Sequence, residues 1–291
     1  MLETSLEDQR YSYEPFTQHA FYTAVNRALV ERALAQLSFP TSHEPSTIVD
    51  LGCGTGAVTQ LIVEALRASG QEARVIGIDP SAHALTQAQC RLAQPGMELH
   101  WVQGDGTALG RLGLHADALF FCNALHLVPD KPLAIAQIAS ALRPGGVFAC
   151  NSAFFTGAYV VGTERFYQLY MRRAIGWLRH EHPEVRLSHD GKALARQWLS
   201  EADYGALVQQ QGLRVYSSGL EEVQMSLGSW QDISRYWLFI EGALPGAPLA
   251  VGAEALATAA AQVFEELGLT AVPRNWLQLV AQRVPGPEEE G

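Results

Sequence analysis

"VDLGCGTG", residues 49–56, places three glycines in five positions directly after the short apolar run Thr47–Leu51. That run reads as a buried strand. Ala57–Ser69, with Val58, Leu61, Ile62, Ala65 and Leu66 on one face, reads as a helix. Glycine admits positive φ and lets another group approach the backbone with no side chain in the way. Strand, glycine turn and helix make the first half of a βαβ unit, whose helix N-terminus offers N–H groups and a partial positive charge. Gly52, Gly54 and Gly56 form G-x-G-x-G, one residue short of the dinucleotide fingerprint G-x-G-x-x-G. Taken alone, such a turn equally fits plain packing of a strand against its helix.

The 291 residues suffice for one large α/β domain with insertions, and an apolar share of 48% supplies its core. A net charge of −10 argues against a general nucleic-acid binder and against docking on anionic membranes. Cys53, Cys90, Cys122 and Cys150 contain no C-x-x-C pair. They read as small buried thiols, not as a zinc site or a disulfide framework, and the histidines show no ligand spacing, so no catalytic metal is expected. The segment "MLETSLEDQR" (1–10) lacks the apolar core of a signal peptide, and Pro245, Pro248 and Glu254 interrupt the alanine-rich stretch 243–263. The tail "PGPEEEG" (285–291) reads as disordered. A soluble protein of the reducing cytoplasm is expected, with no membrane or nucleic-acid partner.

Beyond the glycine turn, strands and helices alternate. "RVIGID" (74–79) and "ELHWVQGD" (98–105) are strands that each end in an acid, and "SAHALTQAQCRLAQ" (81–94) between them is a helix capped by Ser81. "ADALFFCN" (116–123) is a fourth strand. Asp130 then caps a helix with Pro132 in its first turn, which stops at "LRPGG" (142–146) before the fifth strand "VFACNSAFF". This order predicts a parallel sheet with helices on both faces and a ligand at the C-terminal strand ends. Those ends carry Gly52–Gly56, Asp79, Asp105 and Asn123. Asp79 lies 23 residues after Gly56, near the spacing at which a carboxylate meets ribose hydroxyls. Asp105, one strand later, suits an adenine amine, and a helix N-cap or turn is the plain alternative for either acid alone.

"VDLGCGTG", "IGIDPS", "GDGTAL" and "LRPGG", in this order and spacing, resemble the class I S-adenosylmethionine-dependent methyltransferases of the bacterial small-molecule kind. The resemblance is strong over 47–154 and weaker over 198–215 and 273–283. It implies a Rossmann-like, doubly wound α/β fold: a seven-stranded sheet with the last strand antiparallel, plus helical cap insertions. It further implies that Asp50 and Gly52 sit by the methionine end of the cofactor and that Gly54 and Gly56 let it approach. Asp79 then binds the ribose, Asp105 with Gly106 meets the adenine, and Asn123 lies beneath the methionine portion. The product would be S-adenosyl-L-homocysteine.

The implied organisation is an N-terminal helical lid (1–46), a cofactor-binding core (47–154), a helical cap insertion (155–200), a core continuation (201–226), a second cap insertion (227–272), and a final strand with the tail (273–291). The lid helix, Thr17–Leu37, carries His19 and Tyr22 near its start. The two insertions hold Trp177, Trp198, Trp230 and Trp237 with Tyr167, Tyr170, Tyr236 and Phe239, which read either as an apolar pocket for a small-molecule substrate or as helix-packing aromatics. The first insertion is locally basic, with Arg165, Arg172, Arg173, Arg179, Arg186, Lys192 and Arg196 against Glu164, Glu181, Glu184 and Asp190. Those charges suit either an anionic substrate group or a solvated helix face. His126, in "NALHLV" just past the fourth strand, is the first candidate for a general base, and His19 the second.

Three other readings compete with a small-molecule methyltransferase. A non-catalytic cofactor-binding sensor or accessory subunit would bind without turnover. An RNA or protein methyltransferase is disfavoured by the acidity and by the lack of a visible recognition domain. A nicotinamide dehydrogenase is disfavoured by the short glycine spacing and by Asp105.

Overall fold

The structure, a computed structural model, describes residues 12–37, 45–93, 98–188 and 198–284. The acidic segments 1–10 and 285–291, and Asp190, Lys192 and Arg196, lie outside the described residues.

In chain order the elements are α1 (Glu14–Thr17), α2 (Ala20–Leu34), β1 (Ser46–Leu51), α3 (Ala57–Ala68), β2 (Ala73–Asp79), α4 (Ala82–Leu92), β3 (Glu98–Gln103), α5 (Gly106–Leu112), β4 (Ala116–Cys122), a 3₁₀ turn (Leu125–Leu127), α6 (Lys131–Ala141), β5 (Leu142–Ser152), α7 (Glu164–Glu181), α8 (Glu201–Gln210), β6 (Leu213–Ser226), α9 (Leu227–Ile233), α10 (Trp237–Ala243), α11 (Leu249–Leu267) and β7 (Ala271–Arg283). The strands form one sheet in the order β3-β2-β1-β4-β5-β7-β6. β1 to β5 pair in parallel and β7 runs antiparallel to β5, as the resemblance implies. Parallel neighbours need a helical crossover between them, and the apolar faces of those helices cover the sheet. β1 and β4 are buried at every position, so both faces are covered there, whereas the outermost strands β3 and β6 show alternating exposure.

Two details depart from the sequence reading. The N-terminal helix is broken: Pro15 starts the short α1, and a separate α2 begins after His19. "LRPGG" belongs to β5, where a Cβ on Gly146 would fall 2.8 Å from the Arg143 carbonyl and 2.9 Å from that of Ala116. This close approach accompanies a register shift between Ala116 and Ala118.

The chain divides into two compact units. The sheet unit comprises Ala24–Phe155, Leu199–Glu221 and Trp276–Gly291; the helical unit comprises Met1–Thr23, Thr156–Trp198 and Glu222–Asn275. In the sheet unit, Leu29, Val30 and Ala33 of α2 and Ile62 and Leu66 of α3 share a core with Ile48, Val75, Phe120 and Val147. In the helical unit, α11 lies against α7, α9 and α10. Trp230 packs against both Phe166, at 4.8 Å between ring centroids, and Tyr170, at 5.4 Å. Trp230 and Tyr170 are fully buried there, so these two aromatics hold helices together; Trp177, Trp198 and Trp237 are half-buried.

Trp101 on β3 lies opposite Gly77 on β2, and a Cβ on Gly77 would fall 2.6 Å from two carbons of the indole. The replacement Gly77→Ala therefore overpacks the sheet next to the glycine turn. Urea denaturation is expected to show a loss of about 1–3 kcal/mol, and an unchanged midpoint would mean that Trp101 moves aside at no cost.

Candidate active site

The sheet order reverses between β1 and β4, and the glycine turn after β1 lies at that switch point, where open α/β sheets bind ligands. Its backbone is tied to the neighbouring strand: Gly52 N–H and Cys53 N–H both donate to the Ile78 carbonyl, at 2.7 and 3.1 Å. Gly54 N–H donates to Asp79 Oδ2 at 2.8 Å, while Ser81 N–H donates to Asp79 Oδ1 at 2.9 Å. All three motif glycines have positive φ, but for different neighbours. A Cβ on Gly52 would meet Ala124 just past β4 at 3.2 Å, and one on Gly56 would meet Ala88 and Leu92 of α4. One on Gly54 would meet nothing within 4 Å. Packing thus accounts for the first and third glycine, and Gly54 alone faces open space.

The predicted cofactor residues Asp50, Asp79, Asp105 and Asn123 stand at or beside the ends of β1, β2, β3 and β4, four consecutive strands of the sheet. Gly104 N–H donates to the Asp79 carbonyl at 3.0 Å, which holds the Asp105–Gly106 segment at the start of α5 against the end of β2. Asp50 is fully buried and accepts a 2.6 Å hydrogen bond from the Thr59 hydroxyl. Burial, against that hydrogen bond and with the help of the nearby Asp79 charge, pushes its carboxyl up to about 7. Burial likewise raises Asp79, opposed by its two backbone N–H bonds. Burial raises the thiols of Cys53, Cys122 and Cys150, which are protonated, apolar fillers at neutral pH. Cys90 corrects the expectation for the four cysteines, being exposed on α4.

Asn123 has φ +53, a left-handed backbone that costs a side chain some strain and that asparagine tolerates better than most. Its N–H donates to Asn151 Oδ1 at 3.1 Å, and Asn151 Nδ2 donates to Asn26 Oδ1 at 2.8 Å. This buried chain links α2, β5 and the end of β4. Nothing in the local sequence of Asn26 or Asn151 sets them apart from surface amides, and their roles emerge only from the tertiary fold.

His126 is buried, with Nδ1 3.1 Å from Ser152 Oγ and its ring 4.7 Å from that of Phe154. Ser152 Oγ also accepts from Phe154 N–H and stands 3.1 Å from the Phe154 carbonyl, so the histidine is built into the end of β5. His19, in the helical unit, differs: its Nε2 lies 2.9 Å from Asp232 Oδ2, and both side chains are about one quarter exposed. An imidazole held by a carboxylate is the usual arrangement of an oriented base, and Asp232 was not distinguishable in the sequence. The arginines of the first insertion that the structure describes are all exposed, and Arg173 pairs with Glu266 at 2.7 Å. The buried cation of the helical unit is instead Arg274, whose Nη1 donates to the Tyr167 hydroxyl at 3.2 Å beneath the Tyr159 ring.

Residues 48–146 match the model of a protein family described as a methyltransferase domain. The trans-aconitate 2-methyltransferase of Azoarcus sp. (strain BH72) is 36% identical over 106 residues, covering 36% of this chain and 38% of that relative. The 2-phytyl-1,4-naphtoquinone methyltransferase of Thermosynechococcus vestitus is 29% identical over 158 residues, covering 50% of this chain and 68% of the relative. Among solved structures, the cyclopropane synthase MmaA2 from Mycobacterium tuberculosis shares the fold, with a TM-score of 0.53 at 13% identity over 96% of this chain and 94% of the other. The segment 48–146 is thus similar to methyltransferase domains. The matched stretch spans less than two thirds of the Azoarcus relative, so it speaks for the cofactor-binding segment and not for the acceptor.

The raised Asp50 pKa has a consequence for stability. Between about pH 4, where an unfolded aspartate titrates, and about 7, where the folded one does, the folded chain holds the extra proton. Stability conferred by that proton is present at the acid end and lost as pH rises through the window. Wild type is expected to lose, between pH 5 and 8, on the order of 2–4 kcal/mol more than Asp50→Asn. Urea titrations of both at the two pH values check this, and parallel losses would contradict it.

Proposed function

We propose that the whole chain is a methyltransferase that moves the S-adenosylmethionine methyl group to an oxygen, nitrogen or carbon of a partly apolar small molecule by in-line displacement. The observation that carries this reading is Gly54, open to approach and fixed by the Asp79 carboxylate at the switch point of a methyltransferase domain. In this reading the adenosyl end runs along β2 and β3. The Asp79 carboxylate has acceptor capacity beyond its two backbone bonds for the ribose hydroxyls, and Asp105 with Gly106 meets the adenine. The methionine end lies by Asp50, Gly52 and Asn123, where the positive ammonium and sulfonium favour the ionised form of Asp50.

The acceptor is assigned to the helical unit. Supporting this, Tyr13 has a buried hydroxyl with no hydrogen-bond partner, beside the rings of Tyr22 and Tyr236 at 5.9 and 5.0 Å. The relatives that act on trans-aconitate and on a naphtoquinone differ so much in polarity that their names do not select between acceptors. The acidic balance and the cysteine pattern support a cytoplasmic small-molecule enzyme over one acting on nucleic acid.

Methyl transfer from a sulfonium has a good leaving group, and holding nucleophile and methyl together supplies roughly 7–11 kcal/mol of the barrier reduction. A base is needed only where the nucleophile must lose a proton. The candidates for that step are His126, whose Nδ1 is engaged by Ser152, and His19, held by Asp232.

Incubation with methyl-labelled S-adenosylmethionine and a metabolite extract, followed by mass spectrometry, is expected to yield an enzyme-dependent labelled small molecule. Saturable cofactor binding with no label transferred in extracts would favour a non-catalytic sensor. With the acceptor in hand, replacing the histidine that acts as the base by glutamine is expected to cost about 10²–10⁴-fold in turnover, and losses below about tenfold in both His126→Gln and His19→Gln would remove both as bases.

A further inference from the structure

β6 closes one edge of the sheet: it borders β7 on one side, and no described strand lies on the other. It is 14 residues long and has neither proline nor lysine, two of the residues that commonly block edge pairing. Its side chains alternate, with Arg214, Tyr216, Ser218, Leu220, Glu222 and Gln224 exposed. Tyr216 is 59% and Leu220 44% exposed, a large apolar pair on the otherwise polar exposed face of the strand. Arg214 and Glu222 have only neutral amides as partners: Arg214 Nη2 donates to Gln282 Oε1 at 3.2 Å, and Gln224 Nε2 donates to Glu222 Oε1 at 2.9 Å. Among the described residues neither has an ion-pair partner in its own chain. The adjacent Glu221 is already neutralised by Arg32, so this edge is locally balanced on a chain of charge −10.

We propose that β6 is the interface for a second copy of this chain, two β6 strands pairing antiparallel about a two-fold axis at Ser218. In that register Arg214 of each copy stands opposite Glu222 of the other, Tyr216 opposite Leu220, and Ser218 opposite itself. Residues directly opposite in an antiparallel pair have Cβ atoms about 4.5–5.5 Å apart, within reach of an ion pair and of an aromatic–aliphatic contact. Sliding by two residues in either direction sets Arg214 against Leu220 or Gln224 and leaves both charges unmatched. The strand is thus complementary to itself in one register, as an isologous interface requires. Pairing also extends the sheet continuously across both chains and covers the open edge.

Sedimentation velocity on the full chain tests this. The wild type is expected to be a dimer. Arg214→Glu and Glu222→Arg, each placing like charges opposite one another twice per dimer, are expected to raise the dissociation constant at least about tenfold. The double variant, which exchanges the two charges, is expected to restore dimerisation. Circular dichroism of each variant confirms that the fold is retained, and the double variant supplies the rescue that a misfolding defect would not show. A wild type that stays monomeric, or a dimer indifferent to both single variants, overturns the proposal.

Discussion

A single hydrogen bond, from the Gly54 backbone N–H to the Asp79 carboxylate, joins the turn after β1 to the end of β2. It fixes the one motif glycine that packing leaves open, and the same carboxylate caps the start of the next segment through Ser81. A carboxylate is expensive to bury, and the backbone N–H bonds are what make this one tolerable. The neighbouring Asp50 is fully buried, and burial outweighs its hydrogen bonds from Thr59 and pushes it toward the protonated form. Two acids side by side therefore balance burial against hydrogen bonding differently.

Around that bond, the strand ends are held by buried polar contacts between residues distant in sequence from the glycine turn. Asn26 and Asn151 carry α2 and β5 to the strained Asn123, while Gln278 Nε2 of β7 donates to the Val25 carbonyl at 2.7 Å. Buried amides of this kind cost stability unless satisfied, so they restrict the helix and strands to one arrangement. The apolar core, by contrast, is permissive about detail, since Leu29, Ile48, Ile62 and their neighbours ask only for volume. Registration of the site thus rests on the amides and its stability on the aliphatics.

β1 and β4 were legible most directly, because a strand buried on both faces reads as a continuous apolar run ending in turn residues, as "TIVDL" and "ADALFFC" do. The candidate residues Asp50, Asp79, Asp105 and Asn123 were picked out by position, because they stand at or beside the ends of consecutive strands. β6 was visible only at "LRV", since the stretch from Ser217 to Gln224 carries no apolar alternation. His19 and Asp232 are 213 residues apart, and Arg274, Asn26 and Gln278 resemble surface residues until the fold buries them. The basic first insertion left two readings open in the sequence, and the exposure of its described arginines fits the solvated face. Local sequence conveys what a residue follows; only packing conveys what it meets.

The central claim is that the turn at Gly52–Gly56, fastened by Asp79, receives S-adenosylmethionine. Calorimetric titration of the wild type and of Asp79→Ala with S-adenosylmethionine, and in parallel with nicotinamide dinucleotide, tests it most directly. The account predicts one S-adenosylmethionine per chain, binding weakened at least about tenfold by the substitution, and no saturable binding of the dinucleotide. Binding of the dinucleotide instead, or S-adenosylmethionine affinity unchanged in Asp79→Ala, would contradict it.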